Sequence, residues 1–197
     1  MTQTTTVAND NEKLTGVVVD PCPNGDSGQE KLTDELCGRD LRNTLGRFAT
    51  GVTVVTALSP EGIPIGLTIS SFNSVSLDPP LILWSLSLNS PNIEAFCNAG
   101  HYAVNVLSAQ QQEISNRFAS RMENRFTGLH LRTGLSGVPL IEGCCAWFEC
   151  APEVQYPGGD HLILVGRVER FTCGEADSPL IFHNARYHQL ASPASHD

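Results

Sequence analysis

Apolar residues recur at two different periods along this chain, and the switches between them divide it into elements. Leu41, Leu45 and Phe48 stand at helical spacing behind Asp40, a residue type suited to cap a helix, and Gly51 ends the run. Val52 to Ala57 is β-branched and apolar, Ser59 to Gly62 has turn chemistry, and Ile65 to Phe72 is strand-like again, which predicts a hairpin. Beyond Pro79 and Pro80, Leu81 to Leu86 predicts a third strand. Ser90-Pro91 marks the start of a helix over Ile93 to Ala99, and Ser108 with Gln111 forms a capping box ahead of a second, Ile114 to Ala119. Tyr102 to Leu107 between them reads as a buried strand. Phe126 to Pro139, rich in Gly and Thr, reads as a long surface loop. Ala146 to Cys150 and Leu162 to Phe171, separated by the turn residues Pro157 to Asp160, complete at least six strands and three short helices.

These strands follow one another through turns rather than through regular crossover helices. That order predicts a mostly β fold, an antiparallel barrel with short flanking helices, rather than a doubly wound parallel sheet. No Gly-x-Gly-x-x-Gly opens any helix, so a dinucleotide would not be held in the Rossmann manner. Residues 1–38 lack sustained periodicity and carry seven acidic against two basic residues, which predicts a polar N-terminal extension ahead of one domain, residues 39–197.

Charge and composition narrow the function. The formal charge is −9, with five of the nine in the extension and no basic stripe anywhere, which argues against a nucleic-acid partner. No apolar stretch is long enough to span a bilayer and the polar start has no signal-peptide pattern, so the expectation is a cytoplasmic protein without a membrane. Charged residues make up only 17% of the chain, which points to a surface partly covered by a second copy. Both lysines, Lys13 and Lys31, lie in the extension, so Schiff-base, P-loop and kinase-type lysine chemistry is excluded from the main body. Seven cysteines in a chain without a secretion signal are expected as reduced thiols, and the Cys144, Cys145, Cys150 group lacks zinc spacing, so no metal is predicted.

Three segments remain as candidates for chemistry. Thr68, Ser70 and Ser71 place hydroxyls on an otherwise apolar strand, and such groups suit either the alternating edge of a flavin pyrimidine ring or a phosphate. Trp84, Ser85 and Leu86 lead toward Ser90, at what reads as a helix N-terminus, where free N–H groups favour an anion; without lysine, hydroxyls and amides are expected to do most of the phosphate binding. Gly158-Gly159-Asp160-His161 presents a histidine at a strand mouth beside Asp160, where the imidazole could meet a nicotinamide or a substrate. Each segment alone also fits an ordinary structural role. A serine-hydrolase elbow, Gly-x-Ser-x-Gly, is absent.

In order along the chain, Phe48 to Thr56, Gly66-Leu67-Thr68-Ile69-Ser70-Ser71-Phe72, Ser76-Leu77-Asp78-Pro79-Pro80-Leu81 and Gly159-Asp160-His161 resemble the flavin reductase-like family, with support from Tyr102 to Leu107. The likeness spans about residues 40–190. It implies a split antiparallel β-barrel, the FMN-binding Greek-key type, that forms a homodimer with a flavin groove near the interface. It also implies hydride transfer from NADH or NADPH to FMN or FAD, with reduced flavin passed to a monooxygenase acting on an aromatic compound. No catalytic acid or nucleophile is then required beyond positioning of the rings. Carried over by position, Thr68, Ser70 and Ser71 would hold the isoalloxazine edge, Trp84, Ser85, Leu86 and Ser90 the ribityl and phosphate portion, and His161 with Asp160 the nicotinamide. Asn105 is a weaker cofactor candidate. The alternative on the same barrel is a flavin-retaining electron-transfer protein.

Overall fold

The computed structural model describes residues 41–191; the polar extension expected over residues 1–38 and the predicted cap Asp40 lie outside the described residues. Residues 41–45 are helical. The strands that follow are β1 (Thr50–Gly51), β2 (Thr53–Leu58), β3 (Pro64–Ile69), β4 (Asn73–Leu77), β5 (Pro80–Ser87), β6 (Tyr102–Val106), β7 (Leu131–Thr133), β8 (Pro139–Ile141), β9 (Ala146–Gly158), β10 (His161–Cys173), β11 (Ile181–His183) and β12 (Arg186–His188). Helix α1 (Ile93–Cys97) precedes β6 and α2 (Gln112–Ala119) follows it.

Seven strands form one sheet in the order β3-β2-β6-β9-β10-β5-β4, and every adjacent pair is antiparallel. The mostly β, antiparallel architecture predicted from the turn-linked strands is what the chain adopts. Period-two alternation sorts the side chains into two cores. Val55, Ala57, Ile82, Trp84, Leu86, Tyr102, Val104 and Leu164 converge with Phe96 of α1 in one cluster. Val54, Ala103, Leu107 and Trp147 point the other way and join Phe118 of α2, Leu140, Ile141 and Leu180 in a second. Because six strands of one sheet share the first cluster, the sheet must curl around it.

The two edge strands, β3 and β4, are consecutive in the chain and are joined by residues 70–72, yet no backbone ladder pairs them. Ser71, in that connection, continues the β4–β5 register: its hydroxyl accepts the Ser85 N–H at 2.9 Å and donates to the Ser85 carbonyl at 3.3 Å. The predicted strand Ile65 to Phe72 therefore stops at Ile69, and β4, which was not predicted, begins where the chain turns to run beside β5. The long loop expected over Phe126 to Pro139 contains β7, which pairs with β8. The last hairpin, β11–β12, also escaped prediction because each strand has only three residues.

Capping is partly as predicted. The Gln111 side-chain oxygen Oε1 accepts the Ser108 N–H at 3.0 Å, the return half of the expected box, but α2 begins at Gln112. At α1 the cap position is Asn92 rather than Ser90. Among the described residues no helix is long and apolar enough to cross a membrane.

Candidate functional site

A groove runs along the outer side of β3. Its central part, about 580 Å³, lies between Leu67 and Thr68 of β3, the chain from Asn89 to Asn92 ahead of α1, and the C-terminal end of α2 with Ser120, Arg121 and Arg125. A smaller cavity of about 170 Å³ shares Thr68 and Ala119 with it and continues past Ile69 to Ser70, Ser115 and Tyr187. On the other side a cavity of about 420 Å³ shares Pro91, Asn92, Arg121 and Arg125 and extends past Ile63 to Gly66 and the loop from Met122 to Thr127.

Close packing of β3 against α2 makes this groove. At Gly66 an added Cβ would stand 2.6 Å from the Phe118 ring and 3.2 Å from that of Phe126, so only glycine lets the two elements approach this closely. The Phe118 and Phe126 rings meet edge to face with centroids 4.9 Å apart. Arg125 donates to the Gly66 carbonyl at 2.9 Å and to the Met122 carbonyl at 3.1 Å, while Arg117 donates to the Thr127 carbonyl at 2.9 Å, and together they fasten the loop after α2 to the edge strand.

The electrostatics suit an anion. No carboxylate lines the central cavity, and two guanidinium groups do. Arg121 makes no hydrogen bond or ion pair among the described residues. Thr68 donates to the Ser115 carbonyl at 2.6 Å, which leaves its oxygen lone pairs as acceptors. Ser70 is exposed on the edge of β3. A free cation, hydroxyls of both donor and acceptor character and an apolar strand wall form a donor set that fits a phosphorylated flat ring system.

The predicted residues divide into three groups. Thr68, Ser70 and Ser90 line the groove. Ser71 and Ser85 line none of its compartments; they are bonded to each other beside the β4–β5 pair. Trp84, Leu86 and Asn105 do not reach it. Trp84 and Leu86 are fully buried, because alternation along β5 turns them into the first core, where Trp84 meets Phe96 and Tyr102 edge to face. Asn105 is equally buried: its amide donates to Val54 O at 2.9 Å and Thr56 Oγ1 at 3.1 Å and accepts the Ile141 N–H at 2.8 Å, tying β2 and β8 to β6. These three side chains are part of the scaffold and line none of the groove's compartments.

His161 lines none of the groove's compartments. It pairs in register with Ser87 at the end of β5, and the Asp160 carbonyl accepts the Leu88 N–H at 3.0 Å, so both stand at the rim from which residues 88–92 enter the cleft. The His161 Nδ1 lies 2.7 Å from Asp160 Oδ1, and this hydrogen bond holds the Asp160 carboxyl below its ordinary value.

The sequence reading missed the arginines. It assigned phosphate binding to hydroxyls, amides and a helix N-terminus, whereas α1 has only five residues and the cations in the cleft are Arg121 and Arg125. Arg117, Arg121 and Arg125 recur every four residues, a period that sets them along one side of an extended α2, and that signal was available. A separate cavity of about 630 Å³, between Trp147, Arg132 and Glu175, holds none of the predicted residues. Its arginine is stacked 4.3 Å over the Trp147 ring, and Glu142 and Glu175 oppose an anion there.

The family model described as flavin reductase like domain matches residues 45–191. The chain is 48% identical over 149 residues to the FMN reductase (NADH) SmoA of Agrobacterium fabrum, covering 76% of this chain and 84% of that protein. It is 46% identical over 134 residues to the reductase component of the flavin-dependent trigonelline monooxygenase of Acinetobacter baylyi, covering 68% of this chain but 43% of that one. The chain thus spans less than half the length of some curated relatives it matches. Among solved structures, the NADH:FAD oxidoreductase SgcE6 of Streptomyces globisporus, in complex with NAD and FAD fragments, superposes with a TM-score of 0.77 at 37% identity, over 83% of this chain and 99% of that one.

Proposed function

The chain belongs to the flavin reductase like domain family, and from that premise we propose that it is an NAD(P)H:flavin oxidoreductase supplying reduced flavin to a separate monooxygenase that acts on an aromatic compound. The observation that carries this reading is the groove along β3, with the unpaired Arg121 at its centre and open hydroxyls at one end. A bound flavin supplies the ring atom that accepts hydride from the reduced nicotinamide. This chain supplies the surroundings. Arg121 and Arg125, with Ser90, would hold the phosphate end, Thr68 and Ser70 would face the ring edge, and Ser71 fastens the chain after Ser70 to β5. His161, oriented by Asp160, orders the nicotinamide at the rim. No residue needs to move a proton, so binding geometry does the work.

The groove is open along its length, which favours a flavin that exchanges with solvent over one that is retained. A homodimer that covers the Ser70 end, and a cytoplasmic location where reduced nicotinamide is available, complete the proposal. Purified protein tests it directly. The expected result is a nearly colourless preparation that oxidises NADH or NADPH only when FMN or FAD is added. A yellow protein without nicotinamide turnover on added flavin would instead support the electron-transfer reading.

A further inference from the structure

Relatives of this chain include one named for FMN and one named for FAD, so membership of the family leaves the flavin open. The shape of the groove decides it. Its three compartments follow one another along a single strand: about 170 Å³ beside Ile69 and Ser70, about 580 Å³ beside Leu67 and Thr68, and about 420 Å³ beside Ile63 to Gly66. At about 3.3 Å per residue, the stretch from Ile63 to Ser70, β3 with one residue on either side, is roughly 23 Å long. Arg121 and Arg125 stand at the boundary shared by the second and third compartments. A phosphate held there has open space on both sides, toward Ser70 and toward Ile63. A mononucleotide ends at its phosphate and leaves the third compartment empty, whereas a dinucleotide carries a second phosphate and a purine nucleoside beyond it.

We propose that the preferred flavin is FAD, with its pyrophosphate at Arg121 and Arg125 and its adenosine half in the compartment beside Ile63 and Phe126. This rests on the reductase reading above and specifies the substrate of that same groove. Two guanidinium groups, one of them without any partner among the described residues, match the two negative charges of a pyrophosphate. The third compartment has the size of a small-molecule site; Ile63, Pro64, Ile65, Met122 and Phe126 give it an apolar side, and Asn92, Glu123, Asn124 and Thr127 a polar one that an adenosine's amine and hydroxyls could meet. Ile63 and Met122 are 60% and 57% exposed at its rim, so an adenine would cover large apolar side chains that nothing else among the described residues covers.

The experiment is a flavin titration of the purified full chain, followed by fluorescence, run beside steady-state NADH oxidation with each flavin. FAD is expected to bind about tenfold or more tightly than FMN. Ile63→Glu, a change at an exposed position, is expected to reduce FAD affinity to within about twofold of FMN affinity, while FMN binding reports that the groove is still folded. Equal affinities in the parent protein, or tighter FMN, would overturn the proposal, as would an Ile63→Glu protein that keeps its FAD preference. A rise in KM for NADH with both flavins in that variant would assign the compartment to the nicotinamide nucleotide and also overturn it. If the parent chain neither binds nor reduces any flavin, the reductase reading itself fails. Binding and reduction of both flavins without FAD preference would overturn only this inference.

Discussion

In the proposed flavin groove, a single unpaired guanidinium would separate phosphate recognition from ring recognition. Arg121 touches nothing among the described residues, whereas Arg125 is fastened to the carbonyls of Gly66 and Met122. Removing Arg121 should therefore weaken phosphate binding without disturbing the wall. For Arg121→Ala the expected loss in FMN affinity is about 5- to 50-fold, since an exposed charged hydrogen bond is worth less than a buried one. Riboflavin, which lacks the phosphate, should bind parent and variant alike, and a parallel loss for riboflavin would show that Arg121 shapes the wall. His161 makes the complementary forecast. His161→Ala should lower kcat/KM for NADH by about 5- to 150-fold, with flavin affinity little changed. Unchanged NADH kinetics in a folded variant would return His161 and Asp160 to the role of an ordinary hairpin end.

Elements far from the groove depend on one buried carboxylate. Glu149 of β9 is only 3% exposed, and it accepts two hydrogen bonds from Arg170 of β10, at 2.5 and 2.6 Å, and the Leu135 N–H at 2.6 Å. Burial pushes its carboxyl upward, but the Arg170 and Leu135 bonds and the charges of Arg170 and Arg132 outweigh it, and the net shift is downward. A group whose pKa is lower folded than unfolded adds stability that is complete above the unfolded value and is lost as pH falls through the folded one. Glu149→Gln should therefore destabilise by about 1–3 kcal/mol at pH 7. Thermal melts from pH 7 to pH 3 should show the gap to the parent narrowing as Glu149 protonates, and a gap independent of pH would mean that the charge contributes nothing. The sequence made the strands around this strap legible, since Ala146 to Cys150 and Leu162 to Phe171 alternate or carry β-branched residues. It did not show that β9 runs on to Gly158, because Ala151 to Pro157 includes Pro, Glu and Gln and is stabilised by pairing with β10 rather than by its own propensity. In the groove, the hydroxyl row on β3 was legible from the sequence. The inward facing of Trp84 and Leu86 was not, because it depends on which face of β5 the curled sheet encloses.

At the scale of the whole molecule, the exposed apolar side chains bear on the proposed homodimer. Leu41, Leu45 and Phe48 repeat at helical spacing yet are 53%, 65% and 76% exposed, so the face that the periodicity predicts as buried has no partner among the described residues. This segment sits against the last hairpin, where the Gly46 carbonyl accepts the Asn184 N–H at 2.8 Å, and β11 and β12 supply Phe182 and Tyr187 to the cavity at the Ser70 end of the groove. A second copy docked on this face would cover the apolar side chains and close that end over the ring edge. Three side chains cannot supply the roughly 1,600 Å² that a stable interface buries, so the surface of the β11–β12 hairpin must take part as well. The expected particle in sedimentation is a dimer of twice the 21.3 kDa chain mass. Leu45→Glu, at an exposed position, should shift it toward the single-chain mass at micromolar concentration and should weaken flavin binding in the same samples, because the Ser70 end is then left open. A Leu45→Glu protein that stays dimeric would move the interface to another face, and one that becomes monomeric with unchanged flavin affinity would show that the groove is complete within one chain.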